Sequence, residues 1–100
     1  MVDVEFLKNK GKVLFDDFNI SIDDELKDHV YDLKEDMLQI EFLDNYILDI
    51  GWRPSFDLSG KFFITIVKNY NWESPQYLSS ALNVNELNVK LASAWEVINN

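Results

Sequence analysis

Four aspartates recur at every fourth position in the stretch DDELKDHVYDLKED, namely Asp24, Asp28, Asp32 and Asp36. In an α-helix this spacing places four carboxylates in one row on one face. Carboxylates can bind metal ions, transfer protons or pair with lysine and arginine side chains of a partner. Each like-charge pair in such a row costs a helix about 0.2–0.5 kcal/mol. The row therefore destabilises its own helix, and binding to a basic partner would relieve the repulsion.

Residue types that carry out catalysis or hold metals are few in this chain. His29 lies in the acidic stretch, without a nucleophile or a metal-ligand pattern beside it. The pairs Asp16-Asp17 and Asp23-Asp24 lack the spacing and the turn glycine of a calcium loop. There is no cysteine, and the three glycines form no phosphate-binding pattern. We therefore expect no catalytic residues, no metal, no cofactor and no enzymatic activity; a small hydrolase is the enzymatic alternative.

The negative charge is unevenly distributed along the chain. The formal net charge is −9, with fifteen acidic and six basic residues up to Asp57, and three of each from Leu58 onward. A one-sided negative field repels nucleic acid and anionic lipid, and it accelerates the encounter with a basic protein. This pattern predicts a basic protein partner, not a nucleic acid or a membrane. Solubility alone is the competing explanation of the total charge.

The acidic stretch also has the apolar spacing of an amphipathic helix. The apolar positions are Ile22, Leu26, Val30, Leu33 and Met37. Ser21 and Asp24 match a capping box loosely, with Asp in place of Glu. These features predict an α-helix over 22–36 with the carboxylates on its solvent side or beside it. A further short helix is predicted before Gly11.

Alternation with period two begins at Met37 and predicts strands. Strands at 37–43 and 46–53 would form a hairpin around a two-residue Asp44-Asn45 turn, and Arg53-Pro54 would end the second strand. The run 61–68 is apolar on both faces, as in a central strand. The segment 76–80 is a candidate short edge strand.

A capping box of Asn83 and Glu86 precedes the apolar stripe of a C-terminal helix. The predicted fold is therefore α+β: an antiparallel sheet of three to four strands, flanked in two layers by a helix in the N-terminal half and a C-terminal helix. Residues 1–100 are expected to form a single domain. No apolar run approaches the roughly 18–20 residues that span a bilayer, and the N-terminus lacks the order of a signal peptide. We expect a cytoplasmic protein that is monomeric when free.

Residues 46–75 resemble a strand–turn–strand segment of small bacterial immunity proteins, the antidotes encoded beside toxins of contact-dependent growth inhibition and related polymorphic toxin systems. The likeness comprises the Asp49-x-Gly51-Trp52 cluster, Pro54, the Phe56-Asp57…Gly60 turn, the apolar strand that follows, and Trp72 with Pro75. The resemblance implies a cytoplasmic, non-enzymatic protein that binds one toxin domain tightly and blocks its active site. Many such toxins are nucleases with a basic substrate channel, which agrees with the charge asymmetry.

The first hypothesis is thus an immunity protein against a toxin, in particular a nuclease with a basic cleft. The expected partner-binding residues are Asp16, Asp17, Asp24, Asp28, Asp32, Asp36, Asp49, Trp52, Asp57, Trp72 and Glu73. Carboxylates would steer the encounter and aromatic side chains at strand ends would anchor the complex, although large aromatics in small domains are usually buried. Tyr77 is a further aromatic of this kind. The alternatives are an acidic DNA-mimic inhibitor of a DNA-binding protein, and an acidic adaptor.

Overall fold

The computed structural model describes residues 1–99, which form a five-stranded antiparallel sheet with helices on one face. The elements in chain order are α1 (Val4–Lys8), β1 (Lys12–Asp16), a 3₁₀ helix (Leu26–Asp32), β2 (Leu38–Phe42), a 3₁₀ turn (Leu43–Asn45), β3 (Tyr46–Arg53), β4 (Lys61–Lys68), β5 (Tyr77–Ala81) and α2 (Val84–Asn99). The strands lie side by side in sequence order. The predicted α+β class is confirmed. So are the strands at β2, β3 and β4, the edge strand β5, the C-terminal helix and the short helix before Gly11.

The strand count differs from the expectation, because the sheet has five strands and not three to four. The additional strand is β1, which pairs with β2 at the edge of the sheet. Its register shifts between Val13 and Phe15, so Leu14 is an extra residue in a β-bulge. All five residues of β1 are exposed. A bulged strand without a buried face has no apolar–polar alternation, and the pattern that predicts strands is therefore missing.

The α-helix predicted over 22–36 is wrong. The chain forms only a 3₁₀ helix at Leu26–Asp32, which is itself interrupted at His29 (φ −123°, ψ 21°). The Asp24 carboxylate accepts a hydrogen bond from the Ser21 N–H at 2.9 Å. Aspartate and serine side chains that bond to nearby backbone favour turns over helix interiors. Only part of the predicted apolar stripe enters the core: Leu33 and Met37 are fully buried, whereas Ile22 is 47% exposed.

Helix α2 lies against the sheet through a buried stripe of Val84, Leu87, Leu91 and Ala94. Its start is a variant of the capping box, in which the Glu86 side chain bonds the residue before Asn83. The Glu86 N–H donates to Asn83 Oδ1 at 2.8 Å, and Glu86 Oε1 accepts from the Leu82 N–H at 3.0 Å. Within the described residues, no helix is both long enough and apolar enough to cross a membrane.

The two faces of the sheet have different compositions. The face toward the helices carries the apolar core, with Leu48, Ile50 and Trp52 of β3 all buried. The opposite face, which we call the open face, carries Gln39, Glu41, Ile47, Asp49, Gly51, Phe63, Thr65 and Val67. Ile47 and Val67 form a buried cross-strand pair there. The remaining side chains of the open face are polar or partly exposed, which leaves this face available for binding.

Candidate functional site

The carboxylate row expected from the sequence does not exist as a row. A 3₁₀ helix has 3.0 residues per turn, so positions four apart do not share a face. Asp24 and Asp32 instead converge on His29: Asp24 Oδ2 lies 3.1 Å from Nε2, and Asp32 Oδ2 lies 3.0 Å from Nδ1. Asp28 is exposed, and Asp36 lies apart from the others at the open face. Asp24 and Asp32 therefore hold His29 in an arrangement that we call the clamp, whereas Asp28 is solvated and Asp36 lines a pocket.

The His29 imidazole is held between two carboxylates and is about one-fifth exposed. The hydrogen bond with Asp32 raises the pKa of His29 above 6.5, and the Asp24 carboxylate adds to the effect against partial desolvation. The contacts of the imidazole with Asp24 and Asp32 hold the acidic stretch together. This arrangement is a structural ion pair, and within residues 1–99 no three His, Asp or Glu side chains are placed to hold a metal ion.

Asp16 and Asp17 are already paired with lysines of the same chain. Asp16 Oδ2 lies 2.6 Å from Lys8 Nζ, and Asp17 pairs with Lys34. Partial burial alone would raise the pKa of Asp16, but the Lys8 ammonium and the Phe18 N–H lower it below its ordinary value. Their charge is therefore partly neutralised before any partner arrives.

An acidic pocket of about 250 Å³ lies on the open face. Its lining residues are Glu35, Asp36, Asp49, Gly51, Arg53, Phe63, Thr65 and Trp72. Three of the predicted site residues, Asp36, Asp49 and Trp72, meet here. The pocket thus combines three carboxylates and one guanidinium with two aromatic rings.

Asp49 forms the floor of this pocket at the centre of β3. It lies opposite Gln39 on β2 and Thr65 on β4. Gln39 Nε2 donates to Asp49 Oδ2 at 2.8 Å. Burial raises the pKa of Asp49, and the nearby Asp36 carboxylate raises it further, while Gln39 and Arg53 act in the opposite direction. A cation placed in the pocket would therefore stabilise a carboxylate that is poorly compensated in the free protein.

Gly51 allows the acidic rim of the pocket to form. The segment 34–37 runs along the edge of β3 that faces β2, with the Trp52 N–H donating to Lys34 O at 2.8 Å and the Met37 N–H donating to Ile50 O at 3.1 Å. Between these two bonds the Glu35 carbonyl passes over Gly51, a close approach that we call the crossing. A Cβ at Gly51 would collide with the carbonyl oxygen of Glu35. The crossing needs a residue without a side chain at this point of β3. Gly51 therefore fixes the positions of Glu35 and Asp36, whose carboxylates form the rim of the pocket.

The loop between β4 and β5 supplies the aromatic wall. It folds back over the open face, where the Tyr70 hydroxyl donates to Glu41 Oε2 at 3.2 Å. Left-handed φ values at Asn69 (56°) and Tyr70 (60°) turn the chain. Trp72 is brought to the pocket with 47% of its surface exposed. Glu73 follows it as an exposed carboxylate of the same loop.

Arg53 and Phe63 complete the site from the strands. The Arg53 guanidinium lies 4.1 Å above the Phe63 ring centroid, as in a cation–π contact. The Phe63 ring thus already carries one planar cation, that of Arg53, among the residues that line the pocket. A lysine or arginine side chain of a partner fits the same chemistry.

The exposure expected for Trp52 is wrong, because only 1% of its surface is accessible. Its Nε1 donates to Asp57 O at 2.8 Å, and its ring meets Phe62 edge-on at 4.9 Å. Asp57 itself is exposed and accepts from the Ser59 hydroxyl and N–H, which lower its pKa. Tyr77 is also half-buried, with its hydroxyl donating to Lys90 O. Trp52, Asp57 and Tyr77 thus stabilise the fold or a turn and do not line the pocket.

A larger depression of about 350 Å³ lies between α1, α2 and the segment 18–22. Its carboxylates are already bonded within α1: Asp3 accepts from the Phe6 N–H, and Glu5 from Lys8 Nζ. The acidic pocket on the open face is therefore the stronger candidate site.

Comparison with protein-family models, curated proteins and solved structures finds no match to this chain. The site must therefore be interpreted from its own chemistry.

Sequence reasoning missed four contributors to this site, namely Gln39, Glu35, Arg53 and Phe63. A two-residue turn at 44–45 would place Ile40 opposite Asp49. The observed connection Leu43–Asn45 is one residue longer and places Gln39 there instead. The position of Glu35 in the pocket depends on the crossing at Gly51, and no local sequence pattern predicts that crossing.

Proposed function

We propose that this protein binds a basic protein partner through the acidic pocket of the open face, and that it acts as an immunity protein against a toxin domain. The observation that carries the proposal is the pocket itself: carboxylates of Asp36 and Asp49 beside the exposed ring of Trp72. Asp49 is partly buried and Asp36 is exposed beside it, and carboxylates next to an exposed tryptophan are the composition of an interface anchor point. The resemblance of residues 46–75 to immunity proteins supports the choice of a toxin as the partner.

The proposed contact is a lysine or arginine side chain of the toxin inserted into the pocket. Its charge would pair with Asp49, and its aliphatic or planar part would pack on Trp72. Basic residues line the substrate channel of a nuclease because they bind phosphates. An inhibitor that occupies such residues would block the channel without any catalytic group of its own.

A DNA-mimic inhibitor or an acidic adaptor is the alternative function. A mimic of the phosphate backbone would present a regular series of unpaired carboxylates. Here the predicted row is broken at His29, and Asp16 and Asp17 are bonded to lysines. These intramolecular bonds favour a single compact binding site over an extended surface that imitates the DNA backbone.

The test compares two double variants with the same change in charge. Asp36→Lys with Trp72→Ala alters the pocket. Asp28→Lys with Tyr31→Ala is the matched control, since Asp28 is exposed and Tyr31 is an exposed ring (82%). Each protein serves as bait for proteins of the native host, and the captured protein is then purified and assayed for nuclease activity with and without each variant.

We expect the wild-type protein and the control to capture one basic protein and to suppress its nuclease activity. The pocket variant should weaken this complex by about 100-fold or more, as for a loss of central interface residues. Equal weakening by both variants would contradict the pocket as the binding site. A captured protein with no toxic activity would contradict the immunity function.

A further inference from the structure

The two edges of the sheet differ in how they are protected. Edge strand β1 has a bulge and is bounded by the charged residues Lys12 and Asp16, devices that prevent pairing with another strand. Edge strand β5 has the sequence YLSSA, without charge or proline, and Leu78 is 60% exposed. An uncharged edge strand is a template for strand addition.

The direction of the backbone groups in β5 follows from the ladder. The Asn69 N–H donates to Asn45 O beyond the end of the β3–β4 pair. Antiparallel strands alternate, so odd-numbered residues of β4 bond to β3 and even-numbered residues bond to β5. Ile64 is one of the latter and pairs with Ser79. The residues on either side of Ser79 therefore direct their N–H and C=O groups outward.

These outward residues are Leu78 and Ser80. Within residues 1–99, none of the hydrogen bonds outside the ladder involves their N–H groups. The N–H groups at the two ends of the edge, those of Gln76 and Leu82, are already bonded within the chain. The available edge is therefore a short segment with two donors and two acceptors.

We propose that β5 pairs antiparallel with β5 of a second copy of this chain, with Leu78 of one copy opposite Ser80 of the other. This register is centred on Ser79 and uses both donors and both acceptors of each copy, giving four intermolecular hydrogen bonds. Registers displaced by two residues would require the Gln76 or Leu82 N–H, which are already engaged. The sheet would then continue through ten strands.

Side chains on the open face support the same register. Leu78 and Leu82 are 60% and 59% exposed. Leu78, which lies opposite Thr65 of β4, would lie diagonally across from Leu78 of the second copy, at a separation that long side chains bridge. Dimerisation would thus bury the two exposed Leu78 side chains beside the two-fold axis.

The charge distribution permits a second copy at this edge. The sequence from Leu58 onward, which includes β4, β5 and α2, has three acidic and three basic residues. The strand of the acidic first half nearest to β5 is β3, which lies two strands away, about 10 Å at the usual strand spacing. That separation exceeds the screening length of about 8 Å at physiological ionic strength. This dimer departs from the monomer expected from the sequence, and it does not depend on the proposed function.

The test measures the oligomeric state of the whole chain by sedimentation velocity. Concentrations from about 1 μM to about 1 mM bracket the affinities expected of a small interface. Ser80→Pro removes an outward N–H and leaves the bonds to β4 in place, because proline is tolerated on edge strands. Leu78→Lys adds a charge to the edge. Leu14→Lys on the opposite edge is the control, since Leu14 is also exposed (44%).

We expect a concentration-dependent dimer for the wild-type chain and for Leu14→Lys. Each β5 variant should raise the dissociation constant at least about tenfold, while circular dichroism and the melting temperature confirm that it folds. A wild-type chain that stays monomeric throughout, including one that pairs this edge only with a different protein, would overturn the proposal. A dimer that both β5 variants leave unchanged would also overturn it.

Discussion

At the scale of single residues, the Asp49 carboxylate is partly buried, accepts one hydrogen bond and lies near a second negative charge. Gln39 supplies the hydrogen bond, and Asp36 supplies the repulsion. A carboxylate whose pKa is raised by folding is less stable in its charged form than it would be in the unfolded chain. The free protein therefore carries an electrostatic cost at neutral pH, and a cation from a partner would remove it. The sequence suggested that a basic partner relieves the repulsion within a row of four aspartates. In the structure the same relief applies to one aspartate in a pocket.

Asp49→Asn should remove this cost while keeping an acceptor for Gln39. Because the pKa is raised in the folded state, the stability from the neutral acid is present at low pH and lost as pH rises through the folded pKa. The variant should therefore equal or exceed the wild type at pH 7, by less than about 1 kcal/mol, with a smaller gain near pH 3. Urea denaturation at both pH values measures this. A variant that is much less stable at pH 7 would contradict a carboxylate destabilised by burial.

His29 is the second residue whose charge depends on folding. Its pKa is raised by Asp32 and Asp24, so its stabilising effect is complete below 6.5 and is lost as pH rises through the folded pKa. His29→Gln should abolish this dependence at a cost under about 1 kcal/mol at pH 6, as for solvent-screened pairs. Since the chain has one histidine, a proton NMR titration reports its pKa without ambiguity. An NMR pKa at or below 6.5 would refute the clamp.

At the scale of elements, the crossing of the segment 33–37 over β3 determines the site. Three backbone hydrogen bonds fix it: Trp52 to Lys34, Met37 to Ile50 and Phe56 to Leu33. The segment 33–37 precedes β2 in the chain and lies beside β3, and its Glu35 carbonyl passes over Gly51. It brings the rim carboxylates to the open face and leaves Leu33 in the core.

Gly51→Ala should destabilise the protein by about 1–3 kcal/mol, the usual cost of overpacking. The φ of Gly51 is not positive, so alanine suits the backbone, and replacing glycine would otherwise stabilise the chain through the unfolded state. A net loss in urea denaturation therefore reports the collision with the Glu35 carbonyl. Stability equal to or above the wild type would show that the crossing can move away from β3.

The elements also show why part of the fold follows from local pattern and part does not. The strands 38–42, 46–53 and 61–68 and helix α2 each bury one continuous face, which their apolar spacing reports, and β3 and β4 bury Ile47 and Val67 on the open face as well. The acidic stretch has helical apolar spacing as well, yet its aspartates and serine bond to nearby backbone and its histidine binds two carboxylates. Spacing predicts which side chains enter the core. It does not predict the backbone conformation when side-chain hydrogen bonds compete with the helix.

At the scale of the whole molecule, the sheet order separates the charges. The acidic first 57 residues form β1, β2, β3 and the acidic stretch, while the neutral remainder forms β4, β5 and α2. The molecule therefore presents its negative field from one side. A partner with a basic surface would be attracted to that side before any side chain enters the pocket.

Steering and direct contact can be separated by kinetics with the partner captured through the wild-type protein. Asp28→Lys changes the field on the acidic side at an exposed position, so it should slow association a few-fold and leave dissociation unchanged. Asp36→Lys makes the same change in net charge within the pocket. It should also accelerate dissociation, by about tenfold or more, because a contact is lost and a like charge faces the partner's cation.

Salt provides the internal control for these two variants. Raising the ionic strength from about 0.05 M to about 0.5 M shortens the screening length from about 14 Å to about 4 Å. The association rates of the wild type and Asp28→Lys should therefore converge, since their difference is a long-range effect. The dissociation rate of Asp36→Lys should remain high, because the introduced lysine would lie beside the partly buried Asp49 and compete there with the partner's cation, at a site where charges are screened less than in open solvent. If salt removed the effect of Asp36→Lys as completely as that of Asp28→Lys, both residues would act only through the field, and the pocket would not be the contact site.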